Sequence, residues 1–161
     1  MLFRSALVAL LSEIFGLDFD RPDDRRLIME YLTPSVRLMD AKKYTENPYY
    51  KRVKISNITD GSWELRQECY KAYRGVIVGD MEIGDDFKEY APLGFFTEDF
   101  HFPAVLEDGN EWMTLTPVDL DTCEEAIEEA HGKVITFGLG LGYYAFMVSE
   151  KADVESITVI E

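Results

Sequence analysis

Residues 133–161 read KVITFGLGLGYYAFMVSEKADVESITVIE and carry the most specific pattern in the chain. An apolar, β-prone run comes first, and three glycines at alternate positions follow it directly. A short helix-like stretch and a second apolar run come next, and an acid stands at the end of that run. The predicted segments are strand 134–137, helix 143–148 and strand 156–160. This order predicts the opening of an α/β nucleotide-binding fold.

Four residues of this stretch are candidate cofactor-binding residues: Gly138, Gly140, Gly142 and Glu161. Glycines let the backbone turn sharply and approach a ligand closely. The amides that open the following helix point toward whatever binds there. An acid at the tip of the next strand can accept hydrogen bonds from two vicinal ribose hydroxyls. A simpler alternative is that the glycines serve only tight packing between strand and helix.

The spacing G-x-G-x-G directly after a strand resembles motif I of the class I S-adenosylmethionine-dependent methyltransferases, including their spermidine-synthase-like branch. The resemblance covers about residues 117–161. It implies that the three glycines form the cofactor loop, that Glu161 holds the ribose, and that S-adenosylmethionine is the cofactor. Thr136 departs from the pattern, because many members carry an acid two positions before the first glycine.

The same resemblance implies a seven-stranded sheet, of which this chain supplies two strands. We therefore expect the chain to be the amino-terminal part of a longer methyltransferase and to be inactive alone. The methyl acceptor and the catalytic residues are not assigned, because acceptor positioning depends on later strands and their loops.

Two other functions stay open. Gly140, Gly142 and Ala145 satisfy G-x-G-x-x-A, and Glu161 follows at about the distance that an NAD(P) or FAD fingerprint requires. The strand would then have to run through Gly138 and Leu139, which favours the methyltransferase interpretation. The remaining alternative is a non-catalytic interaction module, in which residues 1–115 do the biological work.

The sequence predicts two regions. Residues 1–115 read as an α+β accessory region, with helices first and a small β-rich part after them. Asp60-Gly61 and Asp108-Gly109 are hairpin signals in that β-rich part. Residues 116–161 read as the start of a Rossmann-like domain, its first βαβ part, for S-adenosylmethionine.

Helix signals occur near the amino terminus and again just before the glycine segment. Eight apolar residues fall on one predicted face of an amino-terminal packing helix: Leu2, Phe3, Ala6, Leu7, Leu10, Leu11, Ile14 and Phe15. Farther on, Thr116 is a predicted N-cap, Pro117 fits the first helical position, and Asp119 completes a capping box.

Charge and composition limit the partners. The net charge is −15, with 31 acidic and 16 basic residues, which disfavours a nucleic-acid partner because such binding needs Lys and Arg on phosphates. No apolar run reaches the length of about 18 residues that a membrane helix needs, and the first residues lack a small-residue cleavage site. We expect a cytoplasmic protein that binds a small-molecule cofactor and not a membrane.

Two further expectations concern metals and assembly. Cys69 and Cys123 are too few for a disulfide framework or a zinc site, so no metal site is expected. Two strands alone would expose a sheet edge. This predicts either a homo-oligomer formed through that edge or packing of both strands onto the β-rich part.

Overall fold

The computed structural model describes residues 2–85 and 87–161, which form a mixed α+β structure with several small sheets. The helices are α1 Leu2–Ile14, α2 Pro22–Leu27, α3 Thr33–Ser35, α4 Ala41–Thr45, α5 Pro48–Arg52, α6 Pro117–Glu129 and α7 Tyr143–Ser149. The strands are β1 Val36–Leu38, β2 Ile58–Asp60, β3 Trp63–Tyr70, β4 Val76–Ile77, β5 Glu82–Ile83, β6 Glu89–Tyr90, β7 Leu93–Phe95, β8 Phe100–Glu107, β9 Asn110–Thr114, β10 Gly132–Phe137 and β11 Val154–Ile160. None of the described helices is long and apolar enough to cross a membrane.

The chain forms two compact units. The first comprises Met1–Asp40 and Tyr70–Phe100, and the second comprises Ala41–Cys69 and His101–Glu161. The predicted cofactor segment therefore shares its unit with residues 41–69 and 101–115, which the sequence pattern placed in the accessory region.

The first unit is built on a three-stranded sheet in the order β1-β7-β4. Strand β7 is parallel to β1 and antiparallel to β4. Gly94 at its centre admits no side chain, since a Cβ there would lie 2.7 Å from Val78 Cγ1. Helix α1 and the π-helical turn Ile28–Leu32 contribute to the core of this unit.

The existence of helix α1 is confirmed, and its predicted face is confirmed in part, since Phe3, Leu7 and Leu11 pack against the core. Val8 and Ser12 are its buried residues, whereas Leu10 and Ile14 are exposed. Apolar residues lie on more than one side of the helix, so periodicity alone does not fix the limits of the core face. Ser12 tolerates burial because its hydroxyl donates to the carbonyl of Val8 at 2.8 Å.

The second unit contains a four-stranded sheet in the order β2-β3-β8-β9. Both predicted hairpins are confirmed, joining β2 to β3 and β8 to β9. In the second hairpin, Asp108 and Gly109 have φ values of +50° and +77°. Two successive positive φ angles are typical of the turns that match strand twist.

Helix α6 leads from this sheet into the glycine segment. It begins as predicted, with Thr116 at the N-cap and Pro117 at the first helical position. Asp119 Oδ2 accepts from the Thr116 amide at 2.7 Å and from the Thr116 hydroxyl at 2.8 Å. The carboxylate thus satisfies donors that the helix start would otherwise leave unpaired.

Strands β10 and β11 are parallel and paired from Gly132–Val154 to Phe137–Ile160. Each begins two residues before its predicted start, and α7 lies between them in the chain. Among the described strands, the pair forms a two-stranded sheet of its own. The α+β character is therefore observed, and the finer Rossmann-like assignment stays a prediction.

Candidate functional site

The three predicted glycines form one loop between β10 and α7. Their φ angles are +79° at Gly138, +56° at Gly140 and +78° at Gly142. The amide of Gly138 donates to the Ile160 carbonyl at 2.8 Å, which carries the parallel pairing one residue past β10. The left-handed region is costly for other residues, so the alternating glycines are needed for the path of this loop.

Turn hydrogen bonds fix the rest of the loop. The amide of Gly142 donates to the Leu139 carbonyl at 2.9 Å, and the carbonyl of Gly142 accepts from Phe146 at 2.9 Å. Gly142 is thereby both the end of the turn and the N-cap of α7. Since α7 has only seven residues, the loop rather than a helix terminus defines the candidate site.

Glu161 lies at the same end of the sheet as the loop. Its Oε1 accepts from the Leu139 amide at 2.5 Å, so the acid and the glycine loop are in direct contact. This follows from the parallel pairing, which brings the carboxyl ends of β10 and β11 to one edge. A carboxylate has about four acceptor positions, and the exposed side chain of Glu161 keeps capacity for further donors.

The space beside the loop shows whether the glycines serve only tight packing between strand and helix. A Cβ built at Gly138 or Gly140 would meet no described atom within 4 Å, and at Gly142 it would only touch Leu139 Cδ1 at 4.0 Å. Tight packing therefore does not account for the first two glycines within the described residues. Their open side is available to a ligand that approaches the backbone closely.

Tyrosine 49 of α5 is a residue of this site that the sequence pattern did not identify. Its hydroxyl donates to the carbonyl of Leu141 in the loop at 2.5 Å, and the residue is 3% exposed. Its helix begins locally, with Asn47 at the N-cap and Pro48 at the first helical position. No local signal, however, relates residues separated by 92 positions in the chain.

The surroundings of α7 hold aromatic rings and paired charges. Burial raises the pKa of Tyr143 to about 12, so its phenol is neutral at physiological pH. On the neighbouring α4 and α6, Lys43 lies 2.7 Å from Asp121 and 3.8 Å from Glu124. The bond to Asp121 is the main cause that raises the pKa of Lys43. Tyr44 donates to the same Asp121 at 3.0 Å, so this acid already has two partners.

One face of the β10–β11 sheet is open. Ile135, Phe137 and Ile160 alternate onto it and are 63%, 80% and 45% exposed. The opposite face is half-buried and includes Val134, while α7 contacts β11. The candidate site therefore lies at the end of a sheet that has one covered and one exposed apolar face.

No protein-family model, no curated protein and no solved structure matches this chain. The site itself consists of the glycine loop and the Glu161 carboxylate, which lie together at the ends of two parallel strands. Their direct contact is the geometric feature that bears most closely on a ligand.

Proposed function

We propose that the chain binds the nucleoside part of S-adenosylmethionine and serves a methyltransferase reaction. Gly138, Gly140 and Gly142 would form the cofactor loop, and Glu161 would hold the ribose. The observation that carries the proposal is the contact between the Glu161 carboxylate and the loop amide of Leu139 at 2.5 Å. It brings an acid and an open glycine loop together where ligands of parallel sheets bind.

The residues at the site are compatible with this cofactor in two respects. The exposed carboxylate of Glu161 can accept from vicinal hydroxyls while Oε1 still accepts from Leu139. The open side of Gly138 and Gly140 leaves room for close approach of a nucleoside. Thr136 occupies the position where many class I methyltransferases have an acid, so no residue is assigned to the methionine part.

A nicotinamide or flavin dinucleotide is the second candidate. That fingerprint would begin at Gly140 and needs β10 to continue through Leu139. Strand β10 instead ends at Phe137, and Gly138 already has a φ of +79°. The end of the strand supports the methyltransferase spacing over the dinucleotide spacing.

The third candidate is a non-catalytic interaction module in which residues 1–115 do the biological work. A separate feature, the exposed face of the β10–β11 sheet, bears on association of the chain with itself. A second copy of the chain that covered Ile135, Phe137 and Ile160 would use this face, whereas the sequence predicts a homo-oligomer formed through the sheet edge. The net charge of −15 disfavours a nucleic-acid partner for any of these candidates. Self-association through this face is compatible with cofactor binding and does not distinguish the third candidate from the first.

Calorimetric titration with S-adenosylhomocysteine, and in parallel with NAD⁺ and NADH, tests the function. S-adenosylhomocysteine is the product form of the cofactor and contains the same adenosine. We expect saturable binding of this ligand and none of the dinucleotides. Binding of a dinucleotide alone, or of neither ligand, contradicts the proposal for this chain.

A pair of isosteric variants tests the role of Glu161. Glu161→Gln removes the charge and one pair of acceptor positions, and we expect it to weaken S-adenosylhomocysteine binding about tenfold, since a bond to a charged group contributes about 1.5 kcal/mol or more. Glu155→Gln removes the same charge from an exposed position on β11, the strand that Glu161 follows, and should leave binding unchanged. Equal effects of the two variants would show a general charge effect and not a ribose contact.

A further inference from the structure

Helix α5 contacts both ends of α7, although nearly a hundred residues separate them. It begins at Asn47, whose side chain accepts from the Tyr50 amide at 3.0 Å and fixes the helix start. At one end, Tyr49 contacts the glycine loop before α7. At the other end, Arg52 pairs with Glu150, the residue that caps α7. Helix α5 is thereby placed to determine where α7 and the loop lie.

The Tyr49 side chain makes three contacts at the loop. Its ring lies edge-on to Tyr143 and Phe146, with centroids 5.5 and 5.6 Å away. Its hydroxyl donates to the Leu141 carbonyl at 2.5 Å. Edge-on aromatic pairs are favourable and orientation-dependent, so the two rings hold the phenol in the direction that this hydrogen bond needs.

The bonded carbonyl belongs to the peptide that joins Leu141 to Gly142. Because a peptide is planar, fixing that carbonyl also fixes the direction of the Gly142 amide. This amide closes the turn on Leu139 at 2.9 Å, and Leu139 in turn donates its own amide to Glu161. One hydroxyl is therefore connected through the loop backbone to the predicted ribose ligand.

We propose that Tyr49 is a positioning residue, which holds the glycine loop 138–142 in the conformation that binds the adenosine part of the cofactor. The inference rests on the proposed function for its ligand. It gives helix α5, which precedes the β10–β11 sheet in the chain, a role in holding the loop in place before the ligand binds. A loop held in its bound conformation loses less conformational entropy on binding.

The neighbouring tyrosine supplies a matched control. Tyr50 is also a phenol of α5, and its hydroxyl donates to the carbonyl of Leu115 at 2.9 Å, outside the loop. Tyr49→Phe and Tyr50→Phe each remove one hydroxyl from the same short helix and leave the ring. A general loss of stability should thus affect the two variants to a similar extent.

Two readouts test the inference. In the free protein, Tyr49→Phe should raise the amide hydrogen exchange rate of Gly142 about fivefold, the effect of one lost hydrogen bond. Calorimetry should show S-adenosylhomocysteine affinity lowered by about the same factor. Tyr50→Phe should change neither quantity at the loop.

The possible outcomes separate the inference from the function on which it rests. Unchanged exchange at Gly142 in Tyr49→Phe overturns the inference, whatever the ligand does. Faster exchange with unchanged affinity overturns it too, since the loop conformation would not matter for binding. If the unsubstituted protein binds no S-adenosylhomocysteine but exchange still rises in Tyr49→Phe alone, the proposed function is wrong and the positioning of the loop by Tyr49 stands.

Discussion

Gly138 and Gly109 share one backbone requirement, a positive φ angle, although one lies in the candidate site and the other in a hairpin. Their φ angles are +79° and +77°, and a Cβ at either position would meet no described atom within 4 Å. Both therefore need glycine for conformation and not for space. Gly109 lies in the β8–β9 hairpin, whereas Gly138 opens the candidate cofactor loop.

This match gives the first prediction. Gly138→Ala and Gly109→Ala should each lower the free energy of unfolding by about 1 to 2 kcal/mol, the cost of a left-handed conformation for an L-residue. Only Gly138→Ala should also weaken S-adenosylhomocysteine binding. Denaturant titration and calorimetry measure the two quantities. A loss of binding in both variants would mean that strain alone, at any position, impairs the site.

The second residue-scale prediction concerns alkaline pH. Burial is the main cause that raises the pKa of Tyr49, Tyr50 and Tyr143, the last to about 12. Ordinary tyrosines in the unfolded chain ionise near 10. The folded state binds these protons more tightly, so its stability is full below about pH 10 and falls as the pH rises toward 12 and beyond.

Thermal melts between about pH 8 and 12 measure this loss. The fall in melting temperature should be smaller in Tyr50→Phe, which lacks the phenol whose pKa burial raises furthest. Tyr73→Phe, which removes a half-exposed phenol of the first unit, is the control. If Tyr50→Phe and the unsubstituted protein lose stability equally over this range, burial of that phenol is not the cause.

At the scale of elements, α6 is the clearest case of local control. Its first turn is stabilised by Asp119, whose Oδ2 accepts from the Thr116 amide, the Thr116 hydroxyl and, at 3.0 Å, the Thr114 hydroxyl. The helix precedes β10 directly. The start of α6 thus helps to fix where the strand that leads into the glycine loop begins.

Removing this carboxylate gives the third prediction. Asp119→Ala should lower the free energy of unfolding by about 1 kcal/mol or more, because several donors at the helix start lose their acceptor. Glu125→Ala removes the same charge from an exposed position in the middle of α6 and is the control. Denaturant titration should show the larger loss in Asp119→Ala; equal losses would mean that the capping box is not stabilising.

At the scale of the whole molecule, net charge and exposed apolar surface have opposite effects on self-association. A net charge of −15 opposes association. The exposed face that carries Ile135, Phe137 and Ile160 favours it, because covering these apolar side chains removes them from water. Raising the salt concentration screens the charge and leaves the apolar contribution.

The fourth prediction follows from this balance. The protein should self-associate reversibly, more strongly at high salt, and Phe137→Ser should weaken the association. Phe87→Ser, which replaces another phenylalanine that is 91% exposed, should not. Sedimentation over a wide range of protein concentration measures the effect. A monomer at every concentration and salt level contradicts the prediction of a homo-oligomer.

Features that depend on near neighbours in the chain were predictable from the sequence. The hairpins at Asp60-Gly61 and Asp108-Gly109 and the capping box at Thr116 are confirmed. The order of β10, the glycine loop, α7 and β11 is confirmed as well. The assignment to a methyltransferase stays a prediction, since a glycine loop with an acid suits more than one nucleotide.

Other features depend on which elements meet, and local patterns do not encode that. The core face of α1 was predicted only in part, because Leu10 and Ile14 are apolar and yet lie outside the side that packs against the core. Gly94 shows no signal in the sequence and excludes a side chain because Val78 and Met39 lie against it. Both are decided by packing within the first unit.

The candidate site depends both on local sequence patterns and on contacts between distant parts of the chain. By itself, the sequence determined that Gly138, Gly140 and Gly142 turn the chain after a strand and that an acid ends the next one, because glycine's freedom at positive φ is a local property. Only the tertiary structure brought the Glu161 carboxylate to the Leu139 amide and the Tyr49 hydroxyl to the Leu141 carbonyl. The physical reason is that hydrogen bonds between residues distant in the chain form only after parallel pairing and helix packing have placed their atoms within reach.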